Sequence, residues 1–182
     1  HGIPETAFEE HATAAYVVAV LEELGFAVAR GIGGTGVVGS LTRGGTGRAV
    51  GLRAELDALP IDEVPGRAHG SRHAGRMHAC GHDTHTAMLV GAAKLLSARR
   101  DQIPGRVLFM FQPGEEGGGG AGLMLEEGLL NVPHAADGSE SPVTGAYALH
   151  ITSNLPTGWI ASKGGSIMAS ADQMLITIVG RG

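Results

Sequence analysis

The chain has one cysteine in 182 residues, so no internal disulfide can form and nothing calls for an oxidising compartment. The cytoplasm is therefore the expected location. Aromatic residues make up only 4%, and no apolar run approaches the roughly 20 residues of a membrane span. Positive charge is also scarce. Thirteen Lys and Arg against 18 Asp and Glu leave a formal net charge of −5, and the basic residues are scattered. That excludes the electrostatic footprint of a nucleic-acid binder. The segment from His1 lacks the charged-then-apolar pattern of a secretory leader. What is present, 43% hydrophobic and 17% charged residues, is a globular composition able to build a sizeable core. The 31 glycines are clustered rather than periodic. This excludes collagen and low-complexity readings and points to tight turns around a backbone-lined site.

Local patterns place the elements. Thr6-Ala7-Phe8-Glu9 has the form of a capping box. Phe8, Ala12, Tyr16, Val20 and Leu24, with Val17 and Leu21 beside them, give a helical stripe that should stop at Gly25. Strands are expected at residues 26–30, 36–42, 49–55, 106–112 and 145–151, and helices at about 84–98 and 121–127. From Ala49 onward strand and helix alternate, which predicts parallel βαβ units: an α/β, three-layer domain with a mostly parallel sheet and helices on both faces. Ligands then belong beyond the carboxyl ends of the strands. Ala171 to Val179 alternates again, the pattern of one more sheet strand. Gly31-Ile32-Gly33-Gly34-Thr35-Gly36 satisfies a dinucleotide fingerprint, but the β-branched, alternating residues after it leave no helix N-terminus for a pyrophosphate. A hairpin turn is expected there.

The chemistry-bearing residues fall at those strand ends. Met77-His78-Ala79-Cys80-Gly81-His82-Asp83-Thr84-His85 packs metal-capable side chains into the mouth of a helix. Imidazole and thiolate suit zinc and similar ions. Cys80 and His82 can reach one ion across a glycine, whereas His78 and His85 lie further around. Glu115 and Glu116 follow a bulky strand; one can hold a metal while the other takes a proton from attacking water. His150 stands near the end of a third strand. Glu55 and Asp57 share a strand face, and Asp57 suits orientation of a ligand histidine through its other ring nitrogen.

Together these strings resemble the aminoacylase and carboxypeptidase-type metallohydrolases, nearest the hippurate hydrolases and plant auxin-conjugate amidohydrolases. The resemblance runs through Thr6–Glu10 with His11 and Thr13, the Arg53–Ile61 stretch, Met77–His85, Gln112–Glu116 and Ala148-Leu149-His150. It implies two divalent metal ions (zinc, manganese or cobalt), with Cys80, His82, Glu116 and His150 as ligands. Glu115 would be the general base and later acid, and Asp57 would orient the site. The implied reaction is cleavage of the amide of an N-acyl amino acid or small peptide. Glu55 and Gly114 depart from the pattern, which often has Asp and Ala there. The resemblance also implies that residues 1–168 are the N-terminal part of a catalytic domain. Residues 169–182 would then begin a smaller α/β lid through which two subunits dimerise, followed by a late histidine that completes the metal site. On that expectation these 182 residues alone would be inactive. Two alternatives stand beside it: a non-catalytic metal-binding domain of this fold, and an amidase using Cys80 as nucleophile.

Overall fold

The computed structural model describes residues 1–42, 48–131, 143–169 and 174–180. Its first helix, α1, spans His11–Glu23 and begins later than the Thr6–Glu9 signal suggests. Phe8 has φ of 63°, a left-handed conformation that an α-helix cannot contain. The Thr6 hydroxyl donates to the Glu9 carboxylate at 3.2 Å in the turn before the helix. The cap comes instead from Glu5. Its carboxylate accepts the N–H groups of Ala12 at 2.9 Å and Thr13 at 2.8 Å, together with the Thr13 hydroxyl at 2.8 Å. It thereby satisfies orphan donors at the positive end of the helix dipole. The buried face runs through Val17, Val18 and Leu21. The stripe expected through Phe8, Ala12, Tyr16 and Val20 is displaced from it, and Tyr16 is 60% exposed.

Strands β1 (Ala27–Ile32), β2 (Gly36–Thr42), β3 (Ala49–Glu55), β4 (Arg106–Gln112) and β5 (Val143–Ala148) form one sheet in the order β1-β2-β4-β3-β5. Strand β3 pairs in parallel with both β4 and β5. The β1–β2 and β2–β4 pairings are antiparallel. The sheet of the described residues is thus mixed, with the expected parallel βαβ part at one side and a hairpin extending it. For β1 and β2 the reason is local: strands joined by a short turn can only run antiparallel, whereas parallel ones need a long crossover. Gly31–Gly36 lies in that hairpin, as expected. The crossovers contain α2 (His82–Ser97) and α3 (Gly120–Glu126). Helix α2 starts at His82, ahead of the expected Thr84, and β5 stops at Ala148, so Leu149 and His150 lie past its end.

Alternate residues of β2 and β4 feed two cores. Val37, Leu41, Phe109 and Phe111 pack with Val17 and Leu21 of α1 and Leu89 and Ala93 of α2. Val38, Leu108 and Met110 pack with Met124 of α3 and with Leu129. Helices therefore cover both faces, in three layers. Phe26 meets Phe109 edge to face at 5.1 Å, a favoured aromatic geometry. Pairing of Glu55 with Gln112 and of Arg53 with Ala148 sets the carboxyl ends of β3, β4 and β5 side by side.

Residues His1–Ile151 form one compact unit and Thr152–Gly182 a second. The expected division at residues 168 and 169 falls inside the second unit. Its described residues contain no helix or strand. Of the strand expected over Ala171–Val179, residues 171–173 lie outside the described residues. Residues 174–180 are not in a strand, and Leu175 and Ile178 are 93% and 88% exposed. A strand exists only through pairing, and none is present for it among the described residues. No helix among the described residues is long and apolar enough to cross a membrane.

Loss of the Glu5 cap should be measurable. Glu5→Ala is expected to lower unfolding stability by about 1 kcal/mol, the usual scale of a helix cap. The check is a shift in urea midpoint at constant slope, and an unchanged midpoint would show the cap to be dispensable.

Candidate metal centre

Beyond β3 the backbone carries Asp57 into the site, where it is 1% exposed. Its Oδ2 accepts the Glu116 N–H at 2.8 Å. The Asp57 main-chain carbonyl accepts Nδ1–H of His82 at 2.8 Å, and Oδ1 lies 3.3 Å from the same nitrogen. One residue thus holds both the ring of His82 and the backbone of the loop after β4. The ring then presents Nε2 towards Glu115 Oε2 at 3.7 Å and Glu116 Oε1 at 3.9 Å. Both separations exceed a hydrogen bond. They are close to the spacing of about 3.3–3.6 Å between two atoms that share one tetrahedral ion with bonds of about 2.0–2.2 Å.

Cys80 and His150 approach from the other side. His150 Nδ1–H donates to the Ile151 carbonyl at 2.6 Å, which leaves Nε2 directed at the Cys80 Sγ, 3.4 Å away. Gly81, between Cys80 and His82, has φ of +88°, and a Cβ there would stand 2.3 Å from Ile151 Cδ1. Only glycine fits that turn into α2. Ligand atoms of Cys80, His82 and His150 lie within 4.8 Å of one another, and so do those of His82, Glu115 and Glu116. The two groups share His82. All six residues singled out from the sequence, Asp57 included, therefore come together.

Glu55 and His85 make a second pair that the sequence did not reveal. Although Glu55 shares a strand face with Asp57, it takes a different partner. Its Oε2 accepts Nδ1–H of His85 at 2.7 Å, and Oε1 accepts from Arg53. His85 Nε2 accepts the Ile151 N–H at 3.0 Å. Glu55, His82 and His85 also fall within 4.8 Å, but both ring nitrogens of His85 are already committed. The pair ties α2 to the strand ends. The available signal was the three-residue spacing of His82 and His85, which sets both on one face of the first helical turn. His78 is buried beside His1, with ring centroids 6.4 Å apart, and belongs to none of the three groups.

The electrostatics describe a site short of positive charge. Burial alone would raise the Asp57 carboxyl, but the His82 ring 3.3 Å from Oδ1 and the backbone N–H groups of Glu116 and Glu115 outweigh it and hold it below the usual carboxylate range. Glu55 is lowered in the same way, burial being outweighed by His85 and Arg53. For His82, burial would favour the neutral ring, yet Asp57 and Glu55 raise it. Burial and the neighbouring carboxylates of Glu116, Glu115 and Glu55 push the Cys80 thiol up to about 12. A catalytic cysteine needs the opposite surroundings, so the burial and negative charge around Cys80 do not favour it as a nucleophile. Asp57 Oδ1 and Glu116 Oε1 are buried without a hydrogen-bond partner. Buried acceptors without donors, beside a thiol that needs a cation to ionise, fit the binding of divalent metal.

The linked shifts predict a pH window for the metal-free protein. Asp57, lowered, contributes stability that is lost as pH falls through its folded value. His82, raised, contributes stability that is complete below its ordinary value of 6.5 and is lost as pH rises through the folded one. Stability with chelator present should therefore be greatest at weakly acidic pH and decline on both sides. Urea midpoints across pH test this, and Asp57→Asn should flatten both limbs; a profile unchanged in the variant would refute the coupling.

Comparison with known proteins gives the family of the chain. Over its full length the chain is 40% identical to thermostable carboxypeptidase 2 of Saccharolobus solfataricus, of which it covers 44%. It is 41% identical to IAA-amino acid hydrolase ILR1-like 4 of Arabidopsis thaliana, covering 39% of that protein. The chain thus spans less than half the length of the curated relatives it matches. Among solved structures, the YXEP protein of Bacillus subtilis, described as a dinuclear metal binding peptidase, superimposes with a TM-score of 0.77 at 37% identity. That match covers 87% of this chain and 42% of YXEP. Residues 51–166 match the model of peptidase family M20/M25/M40, a span that runs from β3 past His150 and contains Asp57, Cys80, His82, Glu115 and Glu116, and the chain belongs to that family.

Proposed function

We propose that the protein acts, in its full-length form, as a metal-dependent amidohydrolase that releases an amino acid from an N-acyl amino acid or small peptide. The carrying observation is the different exposure of the carboxylates around His82. The Glu115 side chain is 40% exposed, against 24% for Glu116 and 0% for Asp57. Glu115 is thus the one open to substrate and water, while Asp57 is committed to holding the site. In this reading Cys80, His82, Glu116 and His150 hold two divalent ions, zinc, manganese or cobalt. Bound metal would polarise the amide carbonyl and lower the pKa of water from 15.7 to about 7. Glu115 takes the proton from the attacking water and returns it to the departing amine nitrogen, so the amide C–N bond breaks with one proton carried across. Asp57 keeps the Nδ1 side of His82 occupied and so directs Nε2 into the site.

The names of the relatives support the substrate class. A carboxypeptidase and a hydrolase of IAA-amino acids both free an amino acid from an acyl group. The resemblance read from the sequence adds a lid domain continuing from about residue 169, through which two subunits would pair, and the relatives' greater length leaves room for it; a cytoplasmic location is part of the same proposal.

Glu115→Gln in the full-length protein is expected to keep its metal and lose about 10²- to 10⁴-fold in turnover of an N-acyl amino acid, the usual contribution of a general base. Unchanged turnover would remove Glu115 from the mechanism. Metal analysis with chelation and readdition checks the cofactor. Two ions per chain and reversible inactivation are expected, whereas metal retained without turnover in the unaltered protein would favour a non-catalytic binding role.

A further inference from the structure

The loop that carries Glu115 is gripped from a second direction, by a residue that touches none of the proposed ligands. Glu10, immediately before α1, is 0% exposed. Its Oε1 accepts the Gly114 N–H at 2.9 Å, across 104 positions of sequence, and its Oε2 accepts the Thr35 hydroxyl. A buried carboxylate is costly unless donors compensate it. Here the donors are one loop amide and one hydroxyl from the glycine hairpin, a segment that the proposed mechanism leaves without a role. The approach is close. Gly114 has φ of +54°, and a Cβ on it would lie 2.7 Å from Cζ of Phe8, whose own φ is 63°.

Glu115 sits between two anchored amides. The N–H before it goes to Glu10, and the N–H after it goes to Asp57 Oδ2. The Gly114 carbonyl, part of the peptide that precedes Glu115, also accepts the Gly120 N–H at 3.1 Å, so Gly114 is held at both its N–H and its C=O and the Glu115 backbone, with the direction of its side chain, is restricted. The two grips differ in what else they hold. Asp57 also orients His82, so its loss disturbs metal binding, whereas Glu10 holds only the loop and Thr35.

We infer that Glu10 is a positioning residue for Glu115, acting through the Gly114 amide, with Thr35 holding its carboxylate in place. The inference rests on the proposed role of Glu115. The experiment uses the full-length, metal-loaded protein with Glu10→Ala, Glu10→Gln and Thr35→Val. It measures kcat and KM on an N-acetyl amino acid, bound metal, and hydrogen exchange at Gly114. Glu10→Ala should lower kcat about 10- to 100-fold, the scale of a misplaced catalytic group, with KM and metal content unchanged and faster exchange of the Gly114 amide. Glu10→Gln should restore most of the rate, because its amide oxygen still accepts from Gly114 and its NH₂ can donate to Thr35. If Glu10→Ala does not fold, Thr35→Val should show a smaller drop in kcat with metal intact. Unchanged kcat per bound metal in Glu10→Ala, or metal lost in step with rate, overturns the inference. So does Glu10→Gln as slow as Glu10→Ala, or an unaltered Thr35→Val where that variant is the test. Exchange at Gly114 reads the anchor without reference to turnover. Faster exchange in Glu10→Ala, with full activity in Glu115→Gln, would therefore locate the failure in the role of Glu115 rather than in the anchor.

Discussion

The site depends on the buried carboxyl group of Asp57. A carboxylate with almost no solvent must find donors within the protein, and this one finds the Glu116 amide and lies beside the ring of His82. Those groups come from separate elements, the loop after β4 and the first turn of α2. Neither element contains the strand that places Asp57. The interaction therefore does more than satisfy one charge. It fixes how far the loop stands from the helix, and with it the separation of His82 from the two glutamates.

Parallel register supplies the frame. Because β3 lies between β4 and β5 and pairs in parallel with both, the chain leaves all three strands at the same edge. Asp57, Glu115 and His150 all follow those ends, while α2 delivers Cys80 and His82 at its N-terminal mouth. The antiparallel hairpin at the far side contributes no proposed ligand, yet through Thr35 and Glu10 it reaches the back of the Glu115 loop. Glu55 and His85 pin the same edge, joining β3, α2 and Ile151. Three buried carboxylates, on Glu10, Glu55 and Asp57, thus perform related mechanical tasks: each converts the cost of burial into a specific contact between distant segments.

The charge balance links structure to chemistry. Burial and the carboxylates gathered in the pocket keep the Cys80 thiol protonated, and the carboxylates of Asp57 and Glu55 favour a proton on His82 against its burial in the metal-free state. A divalent cation reverses both tendencies, since its ligands must be thiolate and neutral imidazole. Arrangements that would be poor for a cysteine nucleophile are thus suited to a metal. The same excess of acceptors explains why Asp57 Oδ1 and Glu116 Oε1 stay buried without donors of their own.

Much of this was legible in the linear order. Alternation of strand and helix from Ala49, the strings around Cys80-Gly81-His82 and Glu115-Glu116, and the placing of each after a strand or before a helix are local properties. Side-chain chemistry and short-range periodicity are enough to read them. Which buried partner each group meets was not. The sequence shows Glu55 and Asp57 on one face, but only packing against α2 assigns Glu55 to His85 and Asp57 to His82. The face that α1 buries, and its start at His11 under a cap from Glu5, follow from contacts with the sheet and with an upstream loop rather than from its own stripe. The bond from Gly114 to Glu10 spans most of the chain and leaves no periodic trace. The sequence by itself determined the ligand chemistry and the α/β alternation. Tertiary structure decided the pairings, because a buried polar group takes the partner that register and packing bring within reach, and neither is encoded locally.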